Sequence, residues 1–229
     1  KNRDKNNSMH DEIREQNAKL KDAPFREKLD YFRDYYLKTT IVAVVVIVFV
    51  AYLAYTMLTA PSDTAFAAFF FNDTGDSSNT ELIDGFIEYM NIDTGEHDAY
   101  IDATMNLDLS GAEYDAYMSL EKSMAVISTG ELDVITGDTA TMDYFAKGEC
   151  LHDITTVLPD DLLAQFEDRL YYAKYGETGE LVPVGVYVTD APKLNQYYYY
   201  VDREPILGFV INSNSMNNAI AFLRYIYIE

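Results

Sequence analysis

Cys150 and His152 are the two side chains whose spacing best suits nucleophilic chemistry, two residues apart in GECLHD. On an extended segment residues i and i+2 share a face, so thiol and imidazole could meet, and a thiolate–imidazole pair is a competent nucleophile. The plainer reading is a structural cysteine beside a surface histidine. The other histidines, His10 and His97, complete no HxxxH or HExxH spacing, so a zinc site is not expected. With one cysteine, the chain has neither an internal disulfide nor a thiolate metal cluster. The stretch DTGDSSNTELID, Asp73 to Asp84, has the acid density of a calcium loop, but its glycine is misplaced and its twelfth residue is Asp rather than Glu. No GxSxG, Walker A or GxGxxG motif occurs. These residues predict no catalytic group, no metal and no cofactor, so the expected protein is non-enzymatic.

What remains is a set of polar residues placed where apolar runs stop. TAFAAFFF, residues 64–71, is too short and too aromatic for a helix and reads as a strand buried on both faces. AYIDATMNL, residues 99–107, alternates and reads as a second strand. GELDVITGD, residues 130–138, holds a short aliphatic run between glycines and reads as a third. In an open parallel sheet, ligands sit beyond the carboxyl ends of the strands. The candidate ligand positions are therefore Asn72, Asp73 and Thr74 after the first strand, Asn106 and Asp108 after the second, and Asp138 and Thr139 after the third. The competing reading is that these side chains only cap helices.

The elements between the strands read as helices. TELIDGFIEYM places Leu82, Ile83, Phe86, Ile87 and Met90 on one face, with Asn79 or Thr80 as cap. Residues 112–128 follow a cap at Ser110 and place Tyr114, Tyr117, Met118, Met124 and Ile127 on one stripe. Short helices are predicted over 139–147 and 159–172. Residues 181–189 and 206–212 read as a fourth and a fifth strand, with Pro183 and Gly185 suited to an edge or bend. Tyr197 to Tyr200 reads as a strand, with an exposed aromatic patch as the alternative. A closing helix turns Ile220, Leu223 and Ile226 or Tyr227 inward. Alternation of strand and helix predicts an α/β domain with a mostly parallel sheet flanked by helices.

The region before this domain differs in kind. Thr39 to Ser62 contains no charged residue and matches the roughly 20 residues needed to cross a bilayer. The expectation is one transmembrane helix over 39–60, a juxtamembrane segment over 1–38 and an α/β domain over 61–229. Arg26, Lys28, Arg33 and Lys38 flank the entry side, and no Lys or Arg follows the run until Lys122. That asymmetry predicts a single-pass cell-membrane protein with a cytoplasmic N-terminus and an extracellular domain. Ile13, Leu20, Phe25, Leu29, Phe32 and Tyr36 form an amphipathic pattern leading into the span. Residues 41–229 hold seven basic and thirty acidic residues, a balance that disfavours nucleic acid.

GELDVITGD, the following Gly148, Leu151, Asp153 and Leu158, the stretch LVPVGVYVTDAPKL and the closing GFVINSNSMNNAIAFLRYI occur in an order that resembles the first lobe of extracellular solute-binding proteins of the type 2 periplasmic-binding class. FREKLDYFRDYYLKTTIV is similar to juxtamembrane stretches of membrane-anchored proteins from clostridial-type bacteria. The resemblance implies a single lobe that recognises a small solute or serves transport-associated sensing. The chain departs from the family in length, since such proteins have two lobes. The alternative is a cell-envelope structural or assembly protein that docks a membrane protein partner and has lost ligand binding.

Overall fold

A computed structural model of the chain describes residues 14, 24–26, 37–59, 63–107 and 114–228. The expected juxtamembrane helix falls almost wholly outside the described residues, as do Asp108 and the cap at Ser110. Two compact units, 1–60 and 61–229, are considered separately.

In the first unit, helix α1 (Leu37–Thr59) carries the uncharged run. Among the described residues, no helix is long and apolar enough to cross a membrane, which corrects the expected transmembrane helix over 39–60. Side chains are described continuously over 40–56 only, and the ends of the expected span lie outside them. Those 17 residues rise about 25 Å, short of the roughly 30 Å of a hydrocarbon core.

The second unit is built on strand β1 (Asp63–Phe71), whose apolar run shows no alternation because both of its faces are covered. Phe66, Ala68 and Phe70 enter one core, and Ala67, Phe69 and Phe71 enter the other. Each buried phenylalanine contributes about 2–3 kcal/mol of transfer free energy. Helix α2 (Glu81–Met90), strand β2 (His97–Met105), helix α3 (Tyr114–Thr129), strand β3 (Val134–Gly137) and helix α4 (Thr139–Lys147) follow. Short helices α5 (Ile154–Val157) and α6 (Asp160–Phe166) lead into strand β4 (Leu170–Tyr175), strand β5 (Glu180–Tyr187), helix α7 (Pro192–Gln196), strand β6 (Ile206–Phe209) and helix α8 (Met216–Tyr225). Helices α2 and α8 contribute to the core on the Phe66/Phe70 face, and α3 and α4 to the other.

The sheet order is β2-β1-β3-β6-β5-β4. Only β1–β2 and β1–β3 are parallel, while β3–β6, β6–β5 and β5–β4 are antiparallel. The expected mostly parallel sheet is thus corrected to a mixed one. The cause is local. The helix expected over 159–172 stops at Phe166, and the aromatic run LYYAKY forms β4, which turns through Gly176–Gly179 into β5 as a hairpin. Beta-branched and aromatic residues favour a pleated, half-buried surface over a continued helix.

One helix face needed correction too. On α3 the residues turned inward are Ala116, Ser119, Ser123 and Ile127, while Tyr114, Tyr117, Met118 and Met124 are exposed. Ser119 is held in this role because its hydroxyl accepts the Asn106 N–H (3.0 Å). On α8 the expected face holds: Leu223 and Ile226 are buried and Ile220 packs against the same core, joined by Ala219, Phe222 and Tyr225.

GELDVITGD places a buried acid at the joint of both halves of the sheet. Gly130 has φ +76°, and a Cβ there would stand 2.7 Å from the Asn212 carbonyl oxygen. Asp133, 1% exposed, donates its N–H to the Ala67 carbonyl (2.9 Å) and accepts the Ala67 N–H on its carboxylate (2.9 Å). The carboxylate also accepts the Ser213 hydroxyl (2.5 Å). Its side chain thus serves as a strand partner one residue before β3 begins. Burial pushes its pKa up to about 6, against the lowering effect of these hydrogen bonds.

Candidate functional site

β1 lies between β2 and β3, so the chain leaves its carboxyl end toward one side and that of β3 toward the other. Such a divergence opens a crevice in α/β sheets. Here two adjoining cavities open there, of about 850 and 400 Å³. Both are lined by Asn72, Asp138 and Arg203.

Asn72 ends β1 in the left-handed region (φ +55°), a conformation asparagine tolerates better than most residues. Its backbone N–H donates to the Met105 carbonyl (2.9 Å). Its side-chain oxygen accepts the Leu107 N–H (2.8 Å), and its amide nitrogen donates to the Leu107 carbonyl (3.4 Å) and the Asp138 carboxylate (3.1 Å). Asn72 therefore carries the β1–β2 pairing past the end of the strand and ties it to the start of α4. The other Asp138 oxygen accepts the Thr141 N–H (2.9 Å) and hydroxyl (2.8 Å), which caps α4. A cap of this type contributes about 1 kcal/mol.

Asp73 and Thr74 bind a segment distant in sequence. The Asp73 carboxylate accepts the Tyr200 N–H (2.6 Å) and the Gly75 N–H (3.1 Å), and the Thr74 hydroxyl donates to the Val201 carbonyl (2.9 Å). The Tyr200 hydroxyl donates to the Thr136 carbonyl on β3 (2.8 Å), and full burial raises its pKa well above 10, so it stays neutral. Tyr197 to Tyr200 is a turn rather than the expected strand, with Tyr198, Tyr200 and Asp202 all left-handed. Each such residue costs roughly 1–2 kcal/mol, so the hydrogen bonds from Asp73, Thr74 and Tyr200 hold the segment in a conformation its residues disfavour.

Of the seven predicted positions Asp108 lies outside the described residues, and the structure brings four of the other six together around the larger cavity: Asn72, Asp73, Asn106 and Asp138. Thr139 lines the smaller one, and Thr74 lines neither. Arg203 was missed by sequence reasoning. Among the described residues its guanidinium has no ion pair, whereas Lys122, Arg169 and Arg224 pair with Asp102, Asp190 and Asp161. The charged triplet Asp202–Arg203–Glu204 before Pro205 was the available signal, hidden behind the tyrosine run. The crevice thus presents a guanidinium with no ion pair among the described residues and the exposed Asn106, next to the Asp73 and Asp138 carboxylates already engaged by the protein and the exposed Asp202 and Glu204 at the smaller cavity. That arrangement can hold a polar solute by hydrogen bonds.

Cys150 and His152 do not form a nucleophilic pair. The thiol lies in a core and donates to the Gly148 carbonyl (3.3 Å), and burial raises its pKa. Burial also lowers the His152 pKa. The Asp73–Asp84 loop closes on itself, with the Asp76 carboxylate accepting the Ser78 N–H (3.0 Å) and hydroxyl (2.6 Å). Among the described residues no group of three or more His, Cys, Asp and Glu is arranged to hold a metal ion.

No family model matches the chain, and searches of curated proteins and of solved structures return no match.

Proposed function

We propose that residues 61–229 form a solute-binding-protein-like module that recognises a small polar solute in the crevice between the carboxyl ends of β1 and β3, without chemistry on it. The observation that supports this reading is the pair of adjoining cavities at that divergence, sharing Asn72, Asp138 and Arg203, which has no ion pair among the described residues. The order of elements that resembles the solute-binding lobe is consistent with it. We further propose that the domain is held at the cell membrane, outside the cytoplasm, on the strength of the Lys and Arg asymmetry around the uncharged run.

A second reading, an envelope protein that docks a partner and binds no solute, draws on a specific feature. The Asn72, Asp73 and Asp138 side chains are already engaged by the protein itself. Thermal unfolding of the full chain against sugars, peptides, amino acids, polyamines and divalent cations separates the two. A solute that binds only the folded state at a hundred times its Kd adds about 2.7 kcal/mol of stability. A reproducible shift with one solute class supports recognition, and a flat panel supports the docking reading.

A further inference from the structure

The two cavities of the crevice differ in what their walls leave free. Around the larger one, Asn72, Asp73 and Asp138 are engaged by the protein itself. Around the smaller one, the side chains of Thr139, Tyr187, Asp202, Arg203 and Glu204 make no hydrogen bond or ion pair among the described residues. Arg203 lines both cavities, and the exposed Asn106 lines the larger. A guanidinium only donates hydrogen bonds, a carboxylate only accepts them, and a hydroxyl does both. A solute that satisfies these groups together offers donors and acceptors on most of its sides.

The smaller cavity also has an apolar wall. Tyr187 is half-buried at the end of β5, and its ring meets the Tyr171 ring edge to face, with centroids 5.8 Å apart. Tyr171 is fixed in turn by donating its hydroxyl to the Asp143 carboxylate (2.8 Å). The buried Pro205 lines the same space, whose volume of about 400 Å³ lies in the range of small-molecule sites. Charge narrows the class further. Asp73, Asp138, Asp202 and Glu204 line the crevice against Arg203 alone, so an anionic solute is repelled. An amine only donates and leaves Arg203 unmatched. A small zwitterion satisfies Arg203 and one acid, and leaves the remaining groups without partners. A sugar ring is neutral, carries hydroxyls around its rim that both donate and accept, and presents an apolar C–H face that suits an aromatic wall.

We propose that the crevice binds a short neutral oligosaccharide, with one sugar ring seated against Tyr187 in the smaller cavity and the adjoining unit crossing the larger cavity past Asn106. This rests on the crevice being a solute site, and it names the solute. Tyr187 gives the ring its apolar contact. Arg203, Asp202 and Glu204 supply hydrogen bonds to its hydroxyls, and such bonds are stronger with a charged partner than between neutral groups. Arg203, common to both cavities, stands where the two sugar units join.

The test uses the purified full chain and neutral trisaccharides built from glucose, galactose, mannose, xylose and N-acetylglucosamine, with lysine, glutamate, spermidine and citrate as comparators. Binding is read by melting temperature and by saturation-transfer NMR. The expected result is binding of at least one trisaccharide and of none of the comparators. Its affinity should change by less than about twofold between about 0.05 and 0.5 M salt, because a neutral ligand has no charge to screen. Arg203→Ala and Tyr187→Leu should each lower that affinity at least about tenfold, whereas Tyr187→Phe, which keeps the ring, should hold it within about threefold. Arg203 is exposed, so Arg203→Ala should melt with the wild type, and that control separates lost recognition from lost folding. Binding of a comparator in place of the sugars overturns the proposal and leaves the crevice a solute site. Sugar binding undiminished in both Arg203→Ala and Tyr187→Leu places the sugar elsewhere and overturns it. No binding by any probe overturns it together with the reading of the crevice as a solute site.

Discussion

The β2-β1-β3 half of the sheet and the β6-β5-β4 half solve different problems with the same number of strands. The first is parallel, has its central strand buried on both faces, and ends in a polar crevice where its connections diverge. The second is antiparallel, reverses through a glycine-flanked hairpin, and ends in the edge strand β4, tied to α4 by the Gly176 N–H donating to the Ala146 carbonyl (3.2 Å). Burial is greatest on the central strands β1, β3 and β6, whereas the outer strand of the second half leaves Tyr172 in solvent. The difference teaches that the position of a strand in the sheet decides how much a mutation there costs, and which of its ends is available to a ligand.

The sharpest way to break this contrast is by core truncation. Phe70→Ala on β1 should lower unfolding free energy by about 3–5 kcal/mol, read from denaturant titration of the full chain. A loss under about 1 kcal/mol would mean that β1 is not the centre of the core.

Asp133 tests the joint between the halves. Its folded-state pKa of about 6 lies above the unfolded value of 3.8, so the native state keeps this proton after the unfolded chain has lost it. The stability it contributes is present below about pH 4 and is lost as pH rises to about 6. Two pKa units correspond to about 3 kcal/mol. Relative to Asp133→Asn, which does not titrate, the wild type should lose stability by up to that amount across this interval and run parallel above it. A flat difference between the two melting curves would place the carboxylate in water rather than in the joint.

Smaller effects separate the crevice from the edge. Asp138→Ala removes the α4 cap and the Asn72 partner, and should cost about 1–2 kcal/mol in the same titration. Tyr172→Ala on β4 should change stability by no more than about 0.5 kcal/mol, because its ring is half in solvent. Equal costs at the two sites would erase the distinction drawn between them.

The parallel half was the more legible in sequence. Phe66–Phe71 has no polar interruption, and Asn72 and Asp138 mark where two such runs stop, so strand identity and the crevice-lining positions followed from local pattern. β4 was not legible, because DDLLAQFEDRLYYAKY continues a helical apolar spacing and only its hairpin partner β5, the next strand in the chain, makes it a strand. The tyrosine run was misread for a related reason. Left-handed Tyr198 and Tyr200 oppose their own propensity, and they are fixed by Asp73 and Thr74, about 125 residues earlier in the chain. On α3 the stripe of large residues pointed the wrong way, since a helix close to a sheet is better served by Ala116, Ser119 and Ser123. The uncharged run of α1 was plain in sequence, yet its role depends on what surrounds it, which periodicity does not report.

The central claim is that the crevice between β1 and β3 recognises a solute. Its most direct test is the solute panel run on the wild type and on Asn106→Trp side by side. Asn106 is exposed and lines the larger cavity, so an indole there fills the crevice without entering the core. The account predicts a melting-temperature shift with one solute class in the wild type and none in the variant. A shift of equal size in both proteins, or in neither, would contradict it.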